Sequence, residues 1–263
     1  MNRRGTGREL LILVPTWNEA GNVERALRRI SGSLPHADIL AVDDDSRDGT
    51  PQIVERLRAS LQRVSLMVRR RRRPGLGSAI RDGYRYALDN GYHAVCIVDC
   101  DLQQDPADVS RMGEAHPHAD LVIGSRYLHG TAFARGYDRA SRCLSVMGNA
   151  AVRLLFRFPY KDATTDFFLL DTRVLRSIPP ESLVCRGYAL FVELKVRAWR
   201  AGFRVAEAAV PTYEREGGSS HRTWRQVYLF AREVLAVWVS LFLPLHAGKS
   251  FEEIHVCRRA VRD

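Results

Sequence analysis

The sequence lacks a long uninterrupted apolar run and a paired cysteine motif. Its most apolar segment, residues 227–245, is interrupted by Arg232 and Glu233 and closed by Pro244, so it falls short of the roughly 20 residues that cross a bilayer. The five cysteines include no C-x-x-C pair, which argues against a zinc site or a disulfide framework and favours reduced thiols in the cytosol. Internal repeats and low-complexity linkers are also missing. The 263 residues therefore predict one large domain.

Positive charge is in excess. The formal net charge is +10, and most of the basic residues are arginines that are scattered along the chain. This balance suits a nucleic acid, an anionic membrane surface or a phosphate-rich substrate. The basic N-terminus precedes an apolar run, residues 10–14, that is too short for the apolar region of a signal peptide. We therefore interpret that run as a first strand.

Short apolar runs alternate with helical patterns through the first half of the chain. Strands are predicted at residues 10–14, 38–42, 64–68, 94–98 and 121–123. Such alternation predicts an α/β domain with a mainly parallel sheet. The polar clusters PTWNE, DDDSRDGT, RRRRRPGLGSA, DCDLQQDP and GSRY each follow one of these strands. Ligands of parallel sheets bind at the carboxyl ends of the strands, so this edge is the predicted active face.

Helices are predicted between these strands and after them. Thr16 and Glu19 have the spacing of a capping box, which predicts a first helix running to about Leu34. Beyond residue 123 the pattern predicts helices at 141–156, 172–178 and 191–201 and then a strand at 204–210. A last helix is predicted over residues 227–243.

Eight segments carry a resemblance to a known family. They are LVPTWNEAGNV, AVDDDSRDGT, GLGSA, VDCDLQQDP, LVIGSRY, KDATTDF, RGYALFVEL and AGFRVAEAAVPTYEREGGSS. Their order and spacing resemble the family 2 inverting glycosyltransferases with a GT-A fold, above all the polyprenol-phosphate and dolichol-phosphate mannose synthases. The resemblance implies a GT-A domain over residues 1–225, a mainly parallel sheet flanked by helices. Residues 226–263 form a C-terminal extension, an apolar helix with a basic tail, that is expected to associate with a membrane surface.

Asp99 and Asp101 follow a predicted strand with one residue between them. Glycosyl transfer from a sugar nucleotide leaves a diphosphate, and a divalent cation stabilises that charge. Carboxylates are ligands of Mg²⁺ and Mn²⁺, so both aspartates are candidate catalytic and metal-binding residues, and Gln103 could add a neutral oxygen. D-x-D also arises by chance, and Asp43 and Asp45 form a second example.

The resemblance also implies where a nucleotide-sugar donor binds. The implied nucleotide contacts are Pro15, Trp17, Glu19, the backbone of Val42, the carboxylate of Asp44, and Gly77. Aspartates after the second strand could instead cap the helix near Thr50. The arginines at 69–72 are predicted to be a solvated basic edge, with Arg73 in place of a common lysine.

The implied acceptor contacts lie in the second half of the chain. Arg126, Arg142 and Arg215 are assigned to phosphate groups, which arginine binds with two parallel hydrogen bonds. Asp166 and Phe168 stand where relatives commonly have glycine and a basic residue. These departures leave the exact sugar and acceptor open.

The expected reaction is transfer of a hexose, mannose from GDP-mannose, to polyprenyl or dolichyl phosphate at the cytoplasmic face of the membrane. Nucleic acid is not an expected partner. Two alternatives stay open. One is a related transferase with UDP-glucose or another donor and a hydroxyl acceptor, with Asp166 as base; the other is a non-catalytic sugar-nucleotide-binding or scaffolding protein. The last helix could equally pack only on the core.

Overall fold

Seven strands form the centre of the computed structural model, which describes residues 8–70, 75–128, 139–213 and 224–242, without the side chains of 139–141. The strands are β1 Leu10–Thr16, β2 Asp38–Asp43, β3 Val64–Val68, β4 Ala94–Ile97, β5 Leu121–Ser125, β6 Phe168–Asp171 and β7 Val205–Ala209. Six of them coincide with the predicted strands. β6 was not predicted, because its four residues run directly into a helix without a turn signal.

The sheet is mainly parallel, as predicted, and has the order β3-β2-β1-β4-β6-β5-β7. Strands β1, β2, β3 and β4 pair in parallel. β6 is antiparallel to both β4 and β5, and β5 is parallel to β7. The carboxyl ends of β1 to β5 therefore share one edge, which is where the sequence placed its polar clusters.

Helices cover both faces of the sheet. They are α1 Val23–Ser33, α2 Thr50–Arg58, α3 Leu76–Asp89, α4 Ala107–Ala115, α5 Arg139–Phe156, α6 Thr172–Ser177, α7 Ala189–Arg200 and α8 Trp224–Phe242. Alternate residues of β1 divide between two apolar clusters, with Leu11 and Leu13 in one and Ile12 and Val14 in the other. This is the period of two expected for a strand that is buried on both faces.

The predicted capping box at the start of α1 is wrong. Thr16 is the last residue of β1, and its hydroxyl donates to the carboxylate of Asp43 at 2.8 Å. The helix starts at Val23. The polar segment PTWNE therefore spans the end of β1 and the loop that follows it at the carboxyl edge, where its side chains can serve a site.

Helix α8 both packs on the core and exposes an apolar surface. Val234 and Val237 are buried in the apolar cluster that includes α7 residues, whereas Trp224, Tyr228 and Leu235 are exposed. None of the helices in the described ranges combines the length and hydropathy needed to cross a membrane. The basic tail predicted after residue 243 lies outside the described residues.

Candidate functional site

The loops that follow β1 and β2 are joined by a buried carboxylate. Asp43 is fully buried at the end of β2. Its oxygens accept hydrogen bonds from the Thr16 hydroxyl at 2.8 Å and from the Ser46 amide and hydroxyl at 2.8 and 2.7 Å. Since every one of these partners is internal, Asp43 fixes the geometry of the edge.

A second set of hydrogen bonds ties the same loops together. The backbone amides of Asn18, Glu19 and Ala20 donate to side-chain oxygens of the loop after β2, namely Ser46 Oγ, Thr50 Oγ1 and Asp48 Oδ2, at 2.8 to 2.9 Å. Asp48 also accepts from the Thr50 amide at 3.1 Å, but the N-cap residue of α2 is Gly49, so the alternative that these aspartates cap the helix is wrong. Both loops are therefore built as one unit.

This unit brings several predicted nucleotide contacts together. Pro15 pairs with Val42 across β1 and β2, and the Asp44 amide donates to the Thr16 carbonyl at 3.0 Å. Trp17 keeps 64% of its surface exposed. An exposed aromatic face beside a strand end has the chemistry to stack on a planar base.

Asp44 is buried in an ionic pair that the sequence interpretation missed. Its carboxylate accepts from the Arg69 guanidinium and, at 2.6 Å, from the Gly75 amide. Arg69 also donates to Asp82 and to the Ser78 hydroxyl, both at 2.7 Å.

The predicted solvated edge at residues 69–72 is consequently wrong for its first arginine. The Arg69 side chain is 2% exposed, whereas that of Arg70 is 86% exposed and fits the prediction. Residues 71–73 lie outside the described ranges. Arg69 is buried because two aspartates, Asp44 and Asp82, and the Ser78 hydroxyl bind its guanidinium group where β3 ends.

Gly77 lies where no side chain fits. Its amide donates to the Arg186 carbonyl at 2.9 Å, and a Cβ atom would lie 2.6 Å from that oxygen. In the structure, Gly77 therefore makes its close contact with the backbone of Arg186. A contact between Gly77 and a nucleotide stays a prediction.

Asp99 and Asp101 lie in the turn after β4, and both side chains are half-buried. The turn is closed by the Leu102 amide, which donates to the Asp99 carbonyl at 3.3 Å, and Leu102 itself has a left-handed φ of 53°. The backbone amide of Gln103 donates to Asp101 Oδ1 at 3.1 Å.

Cys100 lies between the two aspartates, and the pKa of its thiol is affected by the charges around it. Burial raises the pKa of the Cys100 thiol, and the nearby carboxylates of Glu19, Asp99, Asp101 and Asp43 raise it further. Carboxylates that follow β1, β2 and β4 therefore lie near this thiol.

The donor set fits a hard divalent cation that is shared with a substrate. Within the described ranges, no group of three or more histidine, cysteine, aspartate and glutamate side chains could hold a metal ion. Asp99, Asp101 and Gln103 supply two carboxylates and one amide oxygen. Mg²⁺ is commonly held by one or two carboxylates together with substrate phosphates, so this small set suits a metal–diphosphate complex.

The predicted acceptor arginines differ from one another. Arg126 forms two hydrogen bonds to the buried Asp162, at 2.7 and 2.8 Å, and a third to Thr164. Burial opposes its charge, but the bonds to Asp162 outweigh burial and raise the pKa of Arg126. Arg142 is exposed on α5, and Arg215 lies outside the described residues.

Lys195 is a buried cation that sequence reasoning did not identify. Its ammonium group donates to the Thr165 carbonyl and lies 5.4 Å from the centre of the Phe168 ring. Burial lowers the pKa of Lys195 to about 7, against the raising effect of Asp162 and Asp166. A lone lysine in the apolar run ALFVELKVRAW was the available signal.

Comparison with known proteins places these features in a family. Residues 11–178 match the model of glycosyl transferase family 2. The chain belongs to glycosyltransferase family 2. It is 31% identical over 211 residues to the undecaprenyl-phosphate mannosyltransferase of Micrococcus luteus, which covers 80% of this chain and 86% of the relative. It is 34% identical over 212 residues to the polyprenol monophosphomannose synthase of Mycolicibacterium smegmatis, with 80% and 79% covered.

A solved structure supports the fold of this glycosyltransferase. The glucosyl-3-phosphoglycerate synthase of Mycobacterium tuberculosis, in complex with Mn²⁺, UDP and phosphoglyceric acid, superimposes with a TM-score of 0.65 at 18% identity. The superposition covers 92% of this chain and 81% of that one. The predicted GT-A fold and glycosyltransferase class are thus confirmed, whereas the predicted roles of single residues stay predictions.

Proposed function

We propose that this glycosyltransferase moves a hexose from a nucleotide donor to polyprenyl or dolichyl phosphate, with inversion at the anomeric carbon. The observation that carries the proposal is that β2, β1 and β4 are neighbours in the sheet, so that Asp44, the loop after β1 and the turn with Asp99 and Asp101 share one carboxyl edge. Two relatives that resemble the chain over most of its length are named for mannosyl transfer to polyprenyl phosphates. GDP-mannose is the proposed donor, and mannose is the sugar that is transferred.

The proposed nucleotide site uses the interlocked loops. Trp17 stacks on the base, with Pro15 and Glu19 beside it, and the Val42 backbone and Asp44 carboxylate meet the polar edge of the base. A carboxylate has about four acceptor positions, and the described partners of Asp44 are Arg69 and the Gly75 amide. The remaining lone pairs suit the N–H donors of guanine or uracil.

Asp99, Asp101 and Gln103 are proposed to hold Mg²⁺ or Mn²⁺. When bound, the ion would stabilise the negative charge of the departing nucleoside diphosphate. The turn itself is held in place by the Gln103 backbone amide, which donates to Asp101, and by Leu102, which has a left-handed φ.

The proposed acceptor contacts are Arg126, Arg142 and Arg215. Arg126 is bound to Asp162, so its first role is to hold the loop after β5 in place, and Arg142 is exposed on α5. A phosphate acceptor is ionised before it attacks, so this reaction needs no dedicated base.

Helix α8 is proposed to rest at a membrane surface. Trp224, Tyr228, Leu235 and Phe242 recur at helical spacing along one exposed stripe. A polyprenyl chain stays in the bilayer, and an in-plane helix with an apolar face brings the enzyme to it. The same helix is anchored to the core through Val234 and Val237. We propose this peripheral contact for the cytoplasmic face of the membrane.

One observation favours a second candidate, a hydroxyl acceptor with a donor such as UDP-glucose. Asp166 lies beside the cationic side chains of Arg126 and Lys195, on whose pKa values it acts. The side-chain amide of Gln104 donates to Asp166 Oδ1 at 3.5 Å. A carboxylate held in this way could remove the proton of an attacking hydroxyl.

A donor and acceptor panel tests the proposal. Purified enzyme is incubated with GDP-mannose, UDP-glucose or UDP-galactose, with MgCl₂ or MnCl₂, and with a polyprenyl phosphate or phosphoglyceric acid, and products are identified by mass spectrometry. A mannosyl phosphodiester of the lipid is the expected product. A glycoside of the hydroxyl acceptor would favour the second candidate, and nucleotide binding without any turnover would favour a binding protein.

A further inference from the structure

A short segment before α7 is held by three helices. Residues 183–187 follow the 3₁₀ turn Pro180–Ser182. From α3, Arg81 donates to the carbonyls of Leu183 and Cys185 at 3.2 and 2.6 Å. From α7, the fully buried Glu193 accepts the amides of Val184 and Cys185. The first half of the segment is thus fixed by charged side chains.

The third helix contributes a carboxylate to the other half of the segment. Glu233 of α8 accepts the Arg186 amide through Oε1 at 3.0 Å and the Gly187 amide through Oε2 at 3.1 Å. Hydrogen bonds to an ionised acceptor are roughly twice as strong as neutral ones. Glu233 therefore clamps two consecutive peptide units onto α8.

The opposite side of the same turn supports the start of α3. The Arg186 carbonyl accepts the Gly77 amide at 2.9 Å, in a contact too close for any side chain at position 77. Two residues earlier, the Gly75 amide donates to Asp44 at 2.6 Å. The backbone of residues 75–77 is therefore held between the Arg186–Gly187 turn and Asp44.

We propose that Glu233 is a positioning residue for donor binding. By holding Arg186 and Gly187, it presses the turn against Gly77 and fixes the backbone of residues 75–77 beside Asp44. The inference rests on the proposed nucleotide site. It goes beyond that site because it places a determinant of donor affinity on the same helix that carries the exposed apolar stripe.

Calorimetric titration of the full chain with GDP and with UDP, in the presence of MnCl₂, tests this role. In Glu233→Gln, one oxygen is replaced by an amide nitrogen that faces a backbone N–H, so one of the two hydrogen bonds is lost. We expect the nucleotide that the wild type binds to bind roughly 2- to 30-fold more weakly, the range for mutations along a coupled network. The donor KM should rise by a similar factor while kcat and the acceptor KM change little.

Two controls separate positioning from stability. Glu24→Gln removes the same charge from an exposed ion pair on α1 and should leave nucleotide affinity unchanged. Gly77→Ala acts on the other end of the contact, so combining it with Glu233→Gln should weaken binding by less than the product of the two single effects.

The outcomes are distinct for the inference and for the function on which it rests. If Glu233→Gln lowers the thermal unfolding midpoint but binds nucleotide as tightly as the wild type, Glu233 is structural and the inference is wrong. Multiplicative effects in the double variant would also overturn it. A wild type that binds neither nucleotide would overturn the proposed donor site itself, and the inference with it.

Discussion

The proposed donor and acceptor sides of the carboxyl edge each contain a buried arginine–aspartate pair, but their other contacts differ. After β1 and β2, Asp44 pairs with Arg69, and short polar side chains bond to backbone amides of the neighbouring loop. After β5, charged side chains pair with one another, as Arg126 does with Asp162. The comparison shows that an arginine's role follows from its burial and partners: Arg69 is architectural on the donor side, and Arg142 remains exposed on the acceptor side.

The largest effect should come from the aspartate pair on the donor side. Asp101→Asn removes one of the two carboxylates that would hold the divalent ion, so we expect kcat/KM for sugar transfer to fall at least about 1,000-fold, a loss of several kcal/mol. Asp105→Asn is a matched control in the same loop, where Asp105 accepts the Ala107 amide and pairs with the exposed Arg29, an ion pair that contributes little to stability. Equal activity of the two variants would contradict the assignment.

The next largest effect concerns two adjacent arginines of the donor side. Arg69→Ala leaves Asp44 and Asp82 without their buried cation, and the free energy of unfolding in urea should drop by about 3 to 5 kcal/mol. Arg70→Ala, at an exposed position in the same run, should leave unfolding unchanged. If Arg69→Ala leaves the free energy of unfolding as unchanged as Arg70→Ala does, Arg69 belongs to the solvated edge that the sequence predicted.

A smaller effect is expected for the apolar stripe of α8. Replacing Tyr228 and Leu235 together by serine should reduce flotation with anionic lipid vesicles by at least about tenfold, since each buried apolar side chain contributes about 1.5 to 3 kcal/mol. Val68→Ser, an exposed apolar position at the end of β3, is the control. Unchanged flotation of the double variant would give α8 a purely structural role.

The most gradual effect should appear in the pH dependence of stability on the acceptor side. Burial lowers the pKa of Lys195 to about 7, below the value of about 10.4 for lysine in an unfolded chain. Between these values the unfolded state binds more protons, so the free energy of unfolding of the wild type should rise with pH relative to Lys195→Met. Urea unfolding between about pH 7 and pH 9 measures this difference.

Lys161 supplies the reference for that measurement. Lys161→Met removes a lysine from an exposed position and shows what the loss of a lysine side chain does by itself. A flat difference for Lys195→Met would mean that Lys195 keeps its proton in the folded protein throughout this range.

What the sequence could predict depended on local patterns. Strands that are buried on both faces have continuous apolar runs, so β1 to β5 and their shared polar edge were predictable. The antiparallel β6 was missed because its four residues run directly into α6 without a turn signal. Arg69, Lys195 and the contact between Glu233 and Arg186 were missed for a different reason: their contacts are with groups that only the tertiary structure brings near.

The position of β6 between β4 and β5 has a consequence for the order in which the chain folds. Donor-side contacts join residues 28 to 31 positions apart, whereas Thr172, next to β6, bonds to carbonyls 79 and 80 positions away. Closing a longer loop costs more chain entropy and slows folding. We therefore expect amides of β1 and β2 to gain protection before those of β6 in pulsed hydrogen exchange.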